Sequence, residues 1–198
     1  MPAAAITAGG QSRRFGQDKA LFVIGGQTLL ERVAGSLTHF EPRLLVAPAG
    51  KYVQDGWQHL PDTRPGAGPL AGLEAALGAA PPGWLAFSAV DLPFLTQAYW
   101  TRLTDAVQPD VQAVYGLDAS GRRQPLAALY RTAALPTVTA LLDAGERRML
   151  ALLDALPGVA LEWAQLQIFG ERLYQNLNTP ESAENAVRQR PILSSNEP

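Results

Sequence analysis

The sequence predicts an α/β domain built on a parallel sheet. Short aliphatic runs alternate with segments of helical period, as repeated strand–helix units require. A glycine-rich loop carrying cations follows the first run directly, and an aspartate falls just beyond a later, apolar run. In open sheets of this kind ligands sit outside the carboxyl ends of the strands, at a switch in strand order. The loop and the aspartate therefore mark one candidate site on a common side of the sheet.

Taken in order, residues 3–7 read as the first strand, opening into A-I-T-A-G-G-Q-S-R-R-F-G-Q-D-K-A-L over positions 5–21. Residues 29–37 read as a helix: Thr28 and Glu31 form a T-x-x-E capping box, and Leu30, Val33, Ala34 and Leu37 make one apolar face. Residues 43–47, RLLVA, are a short strand ended by Pro48, and 57–60 are another. A helix begins near Pro69, which suits the first helical position because its missing N–H leaves nothing unsatisfied there. Leu70, Leu73 and Leu77 give it an apolar stripe. Residues 84–88, WLAFS, read as a central buried strand with Asp91 beyond its carboxyl end. Residues 96–107 follow as a helix, 111–116 and 125–130 as strands, and 133–143 and 148–156 as helices. A terminal helix is expected over 180–188, with Thr179 as N-cap and Pro180 at the first position. No repeat or linker divides the chain, so residues 1–190 are expected to form a single domain. Residues 191–198 are expected to be a disordered tail.

Composition excludes several classes of function. At 198 residues and 47 % hydrophobic content the chain is long and apolar enough for a sizeable core. Charged residues amount to only 17 % and the net charge to −2, so no basic field exists to recruit nucleic acid. The absence of cysteine removes disulfides, thiolate metal sites and cysteine nucleophiles. No secretory leader pattern is present, and no apolar run approaches the ~20 residues that span a bilayer. A cytoplasmic protein without membrane partners is expected.

The glycine loop suits a polyphosphate. Gly9, Gly10 and Gly16 let the backbone approach a ligand closely and permit positive φ. Backbone N–H groups in such a loop can converge on an anion, and Arg13, Arg14 and Lys19 add positive charge. The spacing fails as a P-loop, because Gln17 and Asp18 separate Gly16 from Lys19. It also fails as the dinucleotide fingerprint G-x-G-x-x-G. A near-miss at Gly66-Ala67-Gly68-Pro69-Leu70-Ala71-Gly72 has its third glycine one position late and does not follow the first strand.

Ala8-Gly9-Gly10, Ser12, Arg14, Phe15, Gly16, Asp18 and Lys19 fall in register on a nucleotidyltransferase signature, roughly L-A-G-G-x-S-x-R-[FM]-G-x-D-K. In its double glycine and Asp-Lys the loop resembles the molybdenum cofactor guanylyltransferases of the MobA type; cytidylyl-transferring relatives more often read Ala-Ala-Gly. Asp62 followed by Gly68-Pro69-Leu70-Ala71-Gly72, Val90-Asp91-Leu92-Pro93, Gly145-Glu146-Arg147-Arg148 and Asn176-Leu177-Asn178-Thr179-Pro180 resemble further segments of that family, in family order. The resemblance covers roughly residues 3 to 190. It implies a Rossmann-like three-layer α/β/α sandwich with a mostly parallel central sheet, of the nucleotide-diphospho-sugar transferase type.

The resemblance also implies roles. Lys19 would act as a point charge on a triphosphate and Arg14 as a fork on its oxygens, with Thr7, Ala8, Gly9, Gly10 and Gly68 lining the nucleotide. Arg13 falls at a variable position and reads equally well as surface charge. Asp91 would hold Mg²⁺, which takes only one or two protein carboxylates, with Asn178 as a companion near the metal. Read blandly, Asp91 and Asn178 are a cap and a turn residue. Asp62, otherwise an ordinary turn residue, would read the base or the ribose: a carboxylate accepting from guanine N1–H and the 2-amino group would discriminate by about 10⁴–10⁵. Arg147, Arg148, Asn176 and Asn178 would hold an acidic second substrate; internal pairing within Gly145 to Arg148 is an equal alternative. At Ala47 the family commonly carries an asparagine able to touch the nucleotide, and alanine cannot make that bond. His39 and His59 lie outside every motif and read as structural, and Ser12 has no triad partner.

The implied reaction is Mg²⁺-dependent transfer of GMP from GTP to the terminal phosphate of molybdenum-loaded molybdopterin, giving the guanine dinucleotide cofactor and pyrophosphate. Implied partners are proteins of molybdenum insertion and molybdoenzyme maturation. Two alternatives stay open: a sibling enzyme using CTP or another phosphorylated acceptor, and a non-catalytic GTP-binding protein on the same scaffold.

Overall fold

A computed structural model describes residues 1–9 and 18–177. Among these, the strands are β1 (Ala3–Thr7), β2 (Val23–Ile24), β3 (Gln27–Thr28), β4 (Arg43–Val46), β5 (Gln58–Leu60), β6 (Trp84–Ala89), β7 (Ala113–Leu117), β8 (Arg123–Arg131) and β9 (Gly158–Leu161). The helices are α1 (Leu29–Ser36), α2 (Pro69–Ala79), α3 (Gln97–Asp105), α4 (Leu135–Asp143), α5 (Met149–Ala155) and α6 (Trp163–Leu166). A 3-10 turn at Lys19–Leu21 precedes the small β2–β3 hairpin.

The main sheet runs β5-β4-β1-β6-β8-β7-β9. β1 pairs in parallel with β4 and β6, β4 with β5, and β7 with β9; β8 alone runs against its neighbours β6 and β7. A Rossmann-like three-layer sandwich with a mostly parallel sheet follows from the alternation of side chains along the strands. On β1, Ala4 and Ile6 face a core made with Leu30, Val33, Leu37, Tyr99, Trp100 and Leu103 of the α1 and α3 layer. Ala3 and Ala5 face the opposite core, with Leu70, Leu73 and Leu77 of α2, Val138 of α4 and Leu152 of α5. Successive strand residues point to opposite faces, so a sheet apolar at every position needs helices on both sides.

Local sequence accounts for the helix starts. The Thr28 hydroxyl accepts from Glu31 N at 3.1 Å, and the Glu31 carboxylate accepts from Thr28 N at 2.7 Å, closing the capping box. Pro69 is the first residue of α2, after Gly68 at φ +80°. Thr96 caps α3, accepting from Tyr99 N at 3.2 Å. Several boundaries differ from expectation by a few residues. The strand expected at 111–116 spans Ala113–Leu117, and the helix expected from 133 begins as a 3-10 turn before α4. The hairpin, β9 and α6 have no counterpart in the sequence reading, because two to four residues are too few to display a period. The expected helix over 180–188 and the tail lie outside the described residues.

No helix among the described residues is long and apolar enough to cross a membrane.

Candidate functional site

The site sits at the carboxyl ends of β1, β4, β5 and β6, where the chain order reverses. After β1 the chain adds β4 and β5 on one side, then returns to place β6 on the other. Thr7 is opposite Ala89, and the Val90 N–H donates to Thr7 O at 3.2 Å. This register brings the start of the glycine loop beside the turn that carries Asp91.

Lys19 and Asp91, 72 positions apart in sequence, form an ion pair with Nζ 3.0 Å from Oδ2. The side chains are 13 % and 21 % exposed, so the pair is shielded from solvent more than a surface bridge is. Oδ1 of Asp91 is buried and accepts no hydrogen bond among the described residues. A buried oxygen without a donor lacks the hydrogen bond that offsets its loss of water, and a carboxylate oxygen is the kind of hard donor that Mg²⁺ takes. Among the described residues no group of three or more His, Asp or Glu is gathered to hold a metal; Mg²⁺ needs only one or two protein carboxylates. Asp91 therefore fits a divalent cation as a single anchor. Its backbone carbonyl accepts from Leu177 N at 3.2 Å, so Asn176 arrives next to it on the chain, exposed.

Asp18 explains how Lys19 is held. Its carboxylate caps the 3-10 turn, accepting from Ala20 N at 3.0 Å. The Tyr52 hydroxyl lies 2.8 and 3.0 Å from its two oxygens, and Lys51 Nζ lies 2.8 Å from Oδ2. Burial pushes the Asp18 carboxyl up, but hydrogen bonds from Lys51, Tyr52 and Ala20 outweigh it and hold the group below its ordinary value. Lys51 and Tyr52 were not legible as site residues, since their connection carries no motif and their partner lies 33–34 positions away.

The other sequence-predicted residues fall around this centre. Ala8 is buried, its N–H donating to Val46 O at 2.9 Å. Gly9 is exposed, and a Cβ there would stand 3.9 Å from Asp62 Oδ2, so the loop start and Asp62 face one another. Asp62 Oδ1 accepts from Arg64 N at 2.9 Å. Arg64 forks onto Glu74 of α2 at 2.8 and 3.0 Å and reaches Asp143 of α4 at 2.6 Å, tying the segment between β5 and α2 to the helical layer. Gly72, on the first turns of α2, lets that helix lie against β1: a Cβ there would be 2.7 Å from Thr7 Oγ1.

Arg147 and Arg148 are not drawn to Asp91. Arg147 reaches Gly66 O at 3.4 Å, and Arg148 folds back onto Glu146 at 2.5 Å, the internal pairing the sequence left as an alternative. Glu146 also accepts from the Arg147 and Arg148 backbone N–H groups, and the Arg148 guanidinium above all pulls its carboxyl down to about 2. Ala47 is fully buried and its N–H donates to Leu60 O at 3.1 Å. His39 packs on Phe40, and His59 lies within β5, its ring nitrogens buried without hydrogen-bond partners among the described residues. Gly10, Ser12, Arg13, Arg14 and Asn178 lie outside the described residues.

Residues 4–159 match the family described as MobA-like NTP transferase domain. A protein of Deinococcus radiodurans described as "Probable molybdenum cofactor guanylyltransferase" is 51 % identical over 177 residues, 89 % of either chain. The "Molybdenum cofactor guanylyltransferase" of Vibrio cholerae is 32 % identical over 181 residues, 89 % of this chain and 86 % of that one. Among solved structures, the molybdopterin-guanine dinucleotide biosynthesis protein A of Archaeoglobus fulgidus superposes with a TM-score of 0.77 at 24 % identity, covering 94 % of this chain and 97 % of that one. The 2-C-methyl-D-erythritol 4-phosphate cytidylyltransferase of Thermus thermophilus superposes with a TM-score of 0.70 at 19 % identity, covering 95 % and 98 %. Both share the fold.

Proposed function

The chain belongs to the MobA-like NTP transferase family, and from that premise we propose that it transfers GMP from GTP to the terminal phosphate of molybdopterin. The products are the guanine dinucleotide cofactor and pyrophosphate. Molybdenum, where present, is cargo on the acceptor. The observation that carries a transferase reaction is the shielded Lys19–Asp91 pair at the switch point, with Asp91 Oδ1 buried and without a hydrogen-bond partner among the described residues. The identity of donor and acceptor is carried over from the relatives' descriptions.

In this reading an oxygen of the pterin phosphate forms a bond to the α-phosphorus of GTP, and the bond from that phosphorus to the oxygen bridging the α- and β-phosphates breaks, that oxygen leaving with pyrophosphate. The second pKa of a phosphate monoester is near 6, so the attacking group is largely ionised at neutral pH and needs little help from a base. The work left to the protein is positioning and neutralisation of charge, as in phosphoryl transfer generally. Lys19 supplies a point charge to the triphosphate and Arg14 a fork to its oxygens. Asp91 would hold Mg²⁺, and Asn178 is assigned as its companion near the metal. When bound, the ion neutralises charge on the phosphate oxygens. Thr7, Ala8, Gly9, Gly10 and Gly68 give backbone and small side chains to the nucleotide, and Asp62 reads the base. Arg147, Arg148 and Asn176 contact the acceptor, which requires Arg148 to exchange Glu146 for a phosphate.

The test is pyrophosphate release and dinucleotide product, measured with molybdopterin, Mg²⁺ and either GTP or CTP. Product with GTP alone is expected. Product with CTP alone would overturn the base assignment at Asp62. Product with neither would overturn the transferase reading for this acceptor.

A further inference from the structure

We infer that Tyr52, with Lys51, is a positioning residue for the nucleotide loop, acting through Asp18 to aim Lys19. The inference rests on the reading of Lys19 as a triphosphate contact. Its structural basis is a convergence of three chain segments on one carboxylate. Asp18 directly precedes Lys19 and caps the single 3-10 turn that carries it, through Ala20 N at 3.0 Å. One turn of 3-10 helix has little stability of its own. Its orientation has to come from tertiary contacts.

Ala20 buries in the core beside α1, and the polar contacts to Asp18 come from the β4–β5 connection. Tyr52 is 4 % exposed, so its ring is part of the core and its hydroxyl is fixed in direction. That hydroxyl lies 2.8 Å from Asp18 Oδ1 and 3.4 Å from the Ala8 carbonyl oxygen. It has one proton to give, and the shorter, charged acceptor takes the larger share. The two acceptors stand on either side of residues 9–17, so one buried hydroxyl touches both ends of the loop. Lys51 closes the arrangement with an ion pair to Asp18 Oδ2 at 2.8 Å and lies 5.1 Å from the centroid of the Tyr52 ring. It also cancels a negative charge that would otherwise stand next to a polyphosphate site. Lys19, held from behind in this way, projects to Asp91 at 3.0 Å.

The first measurement needs no nucleotide. Hydrogen exchange of the Ala20 amide is compared in the full chain and in Tyr52→Phe, which keeps the ring and removes the hydroxyl. Loss of a hydrogen bond to a charged group should speed that exchange by about ten-fold or more. Equal exchange overturns the clasp. The second is GTP affinity with Mg²⁺, by calorimetry, for the parent, Tyr52→Phe, Lys19→Ala and the double variant. Tyr52→Phe is expected to weaken GTP about ten-fold, but to add less than about two-fold on the Lys19→Ala background, because both remove the same contact. Additive losses would make Tyr52 merely structural and overturn the inference. Lys51→Met tests the same clasp from an exposed side chain and should move both readouts in the same direction, with Lys51→Arg restoring them; an unchanged Lys51→Met overturns its part. A parent that binds no GTP refutes the functional reading and the nucleotide role together. A parent that binds GTP beside a Tyr52→Phe that binds equally well refutes the inference alone.

Discussion

Asp91 has one carboxylate oxygen on Lys19 and the other buried with no partner among the described residues. That asymmetry separates function from stability. Asp91→Asn keeps the shape and takes away the charge, and among the described residues Oδ1 has no hydrogen bond to lose. Turnover is expected to fall about 10²- to 10³-fold, the range seen when one preorganised charge-stabilising group is removed. The thermal midpoint should move by no more than about 4 °C, the equivalent of roughly 1 kcal/mol in a chain of this size. Steady-state kinetics beside a melting curve checks it; a large loss of stability would make Asp91 a folding residue instead. At Glu146 the sign of the effect is set by pH. Its carboxyl is held at about 2, first by the Arg148 side chain and then by backbone N–H groups. A depressed folded value contributes stability above the unfolded value of 4.5 and loses it as pH falls through about 2. A carbon-13 titration of that carboxyl should therefore be flat from neutral pH to the ordinary carboxylate range, and Arg148→Ala should bring the titration back up into it.

At the scale of elements, α2 contains two glycines that helix propensity treats alike and the fold does not. A Cβ on Gly72 would stand 2.7 Å from Thr7 Oγ1 and 3.3 Å from Thr7 Cβ, whereas one on Gly78 would meet nothing within 4 Å. Propensity alone favours alanine at either position by about 0.5–1 kcal/mol. Gly78→Ala is expected to stabilise by about that amount, and Gly72→Ala to destabilise by about 1–3 kcal/mol as helix and strand are forced apart. Denaturant unfolding of the two variants decides it, and stabilisation by both would mean that α2 does not press on β1 as described. The same contact shows what a single sequence can reveal. The capping box at Thr28 and Glu31, Pro69 at the first position of α2 and the apolar strands were legible, because each rests on neighbours in sequence or on a period. Gly72 was legible only as part of a resembling motif, since its reason is a strand more than sixty positions away. The β2–β3 hairpin escaped for want of length. Tyr52 and Lys51 escaped because an isolated tyrosine and lysine in a connection carry no sign of the carboxylate they meet, whereas Asp91 was found by its place at a strand end.

At the scale of the molecule, the segment after β9 crosses the sheet and returns to the site. Leu166 packs in the core on the α1 and α3 side, the Tyr174 hydroxyl lies 3.2 Å from that of Tyr99, and the Arg172 guanidinium lies 3.9 Å from the centroid of the Phe94 ring. Leu177 then buries against Ile24 and Leu29 while its N–H donates to Asp91 O. The turn that carries Asp91 is thus braced by residues some eighty positions later. The brace depends on Gly116 of β7, where a Cβ would collide with the Tyr174 hydroxyl and stand 2.6 Å from Leu166 Cδ1. Gly116→Ala is expected to displace Tyr174 and, through it, the run from Arg172 to Leu177, while the strands keep their ladder. Two readouts should move together: trypsin cleavage after Arg172 should quicken, and nucleotidyl transfer should fall. If cleavage quickens and transfer does not fall, the bond from Leu177 to Asp91 is incidental to the site. If neither changes, Tyr174 has an alternative seat and the brace is not coupled to β7.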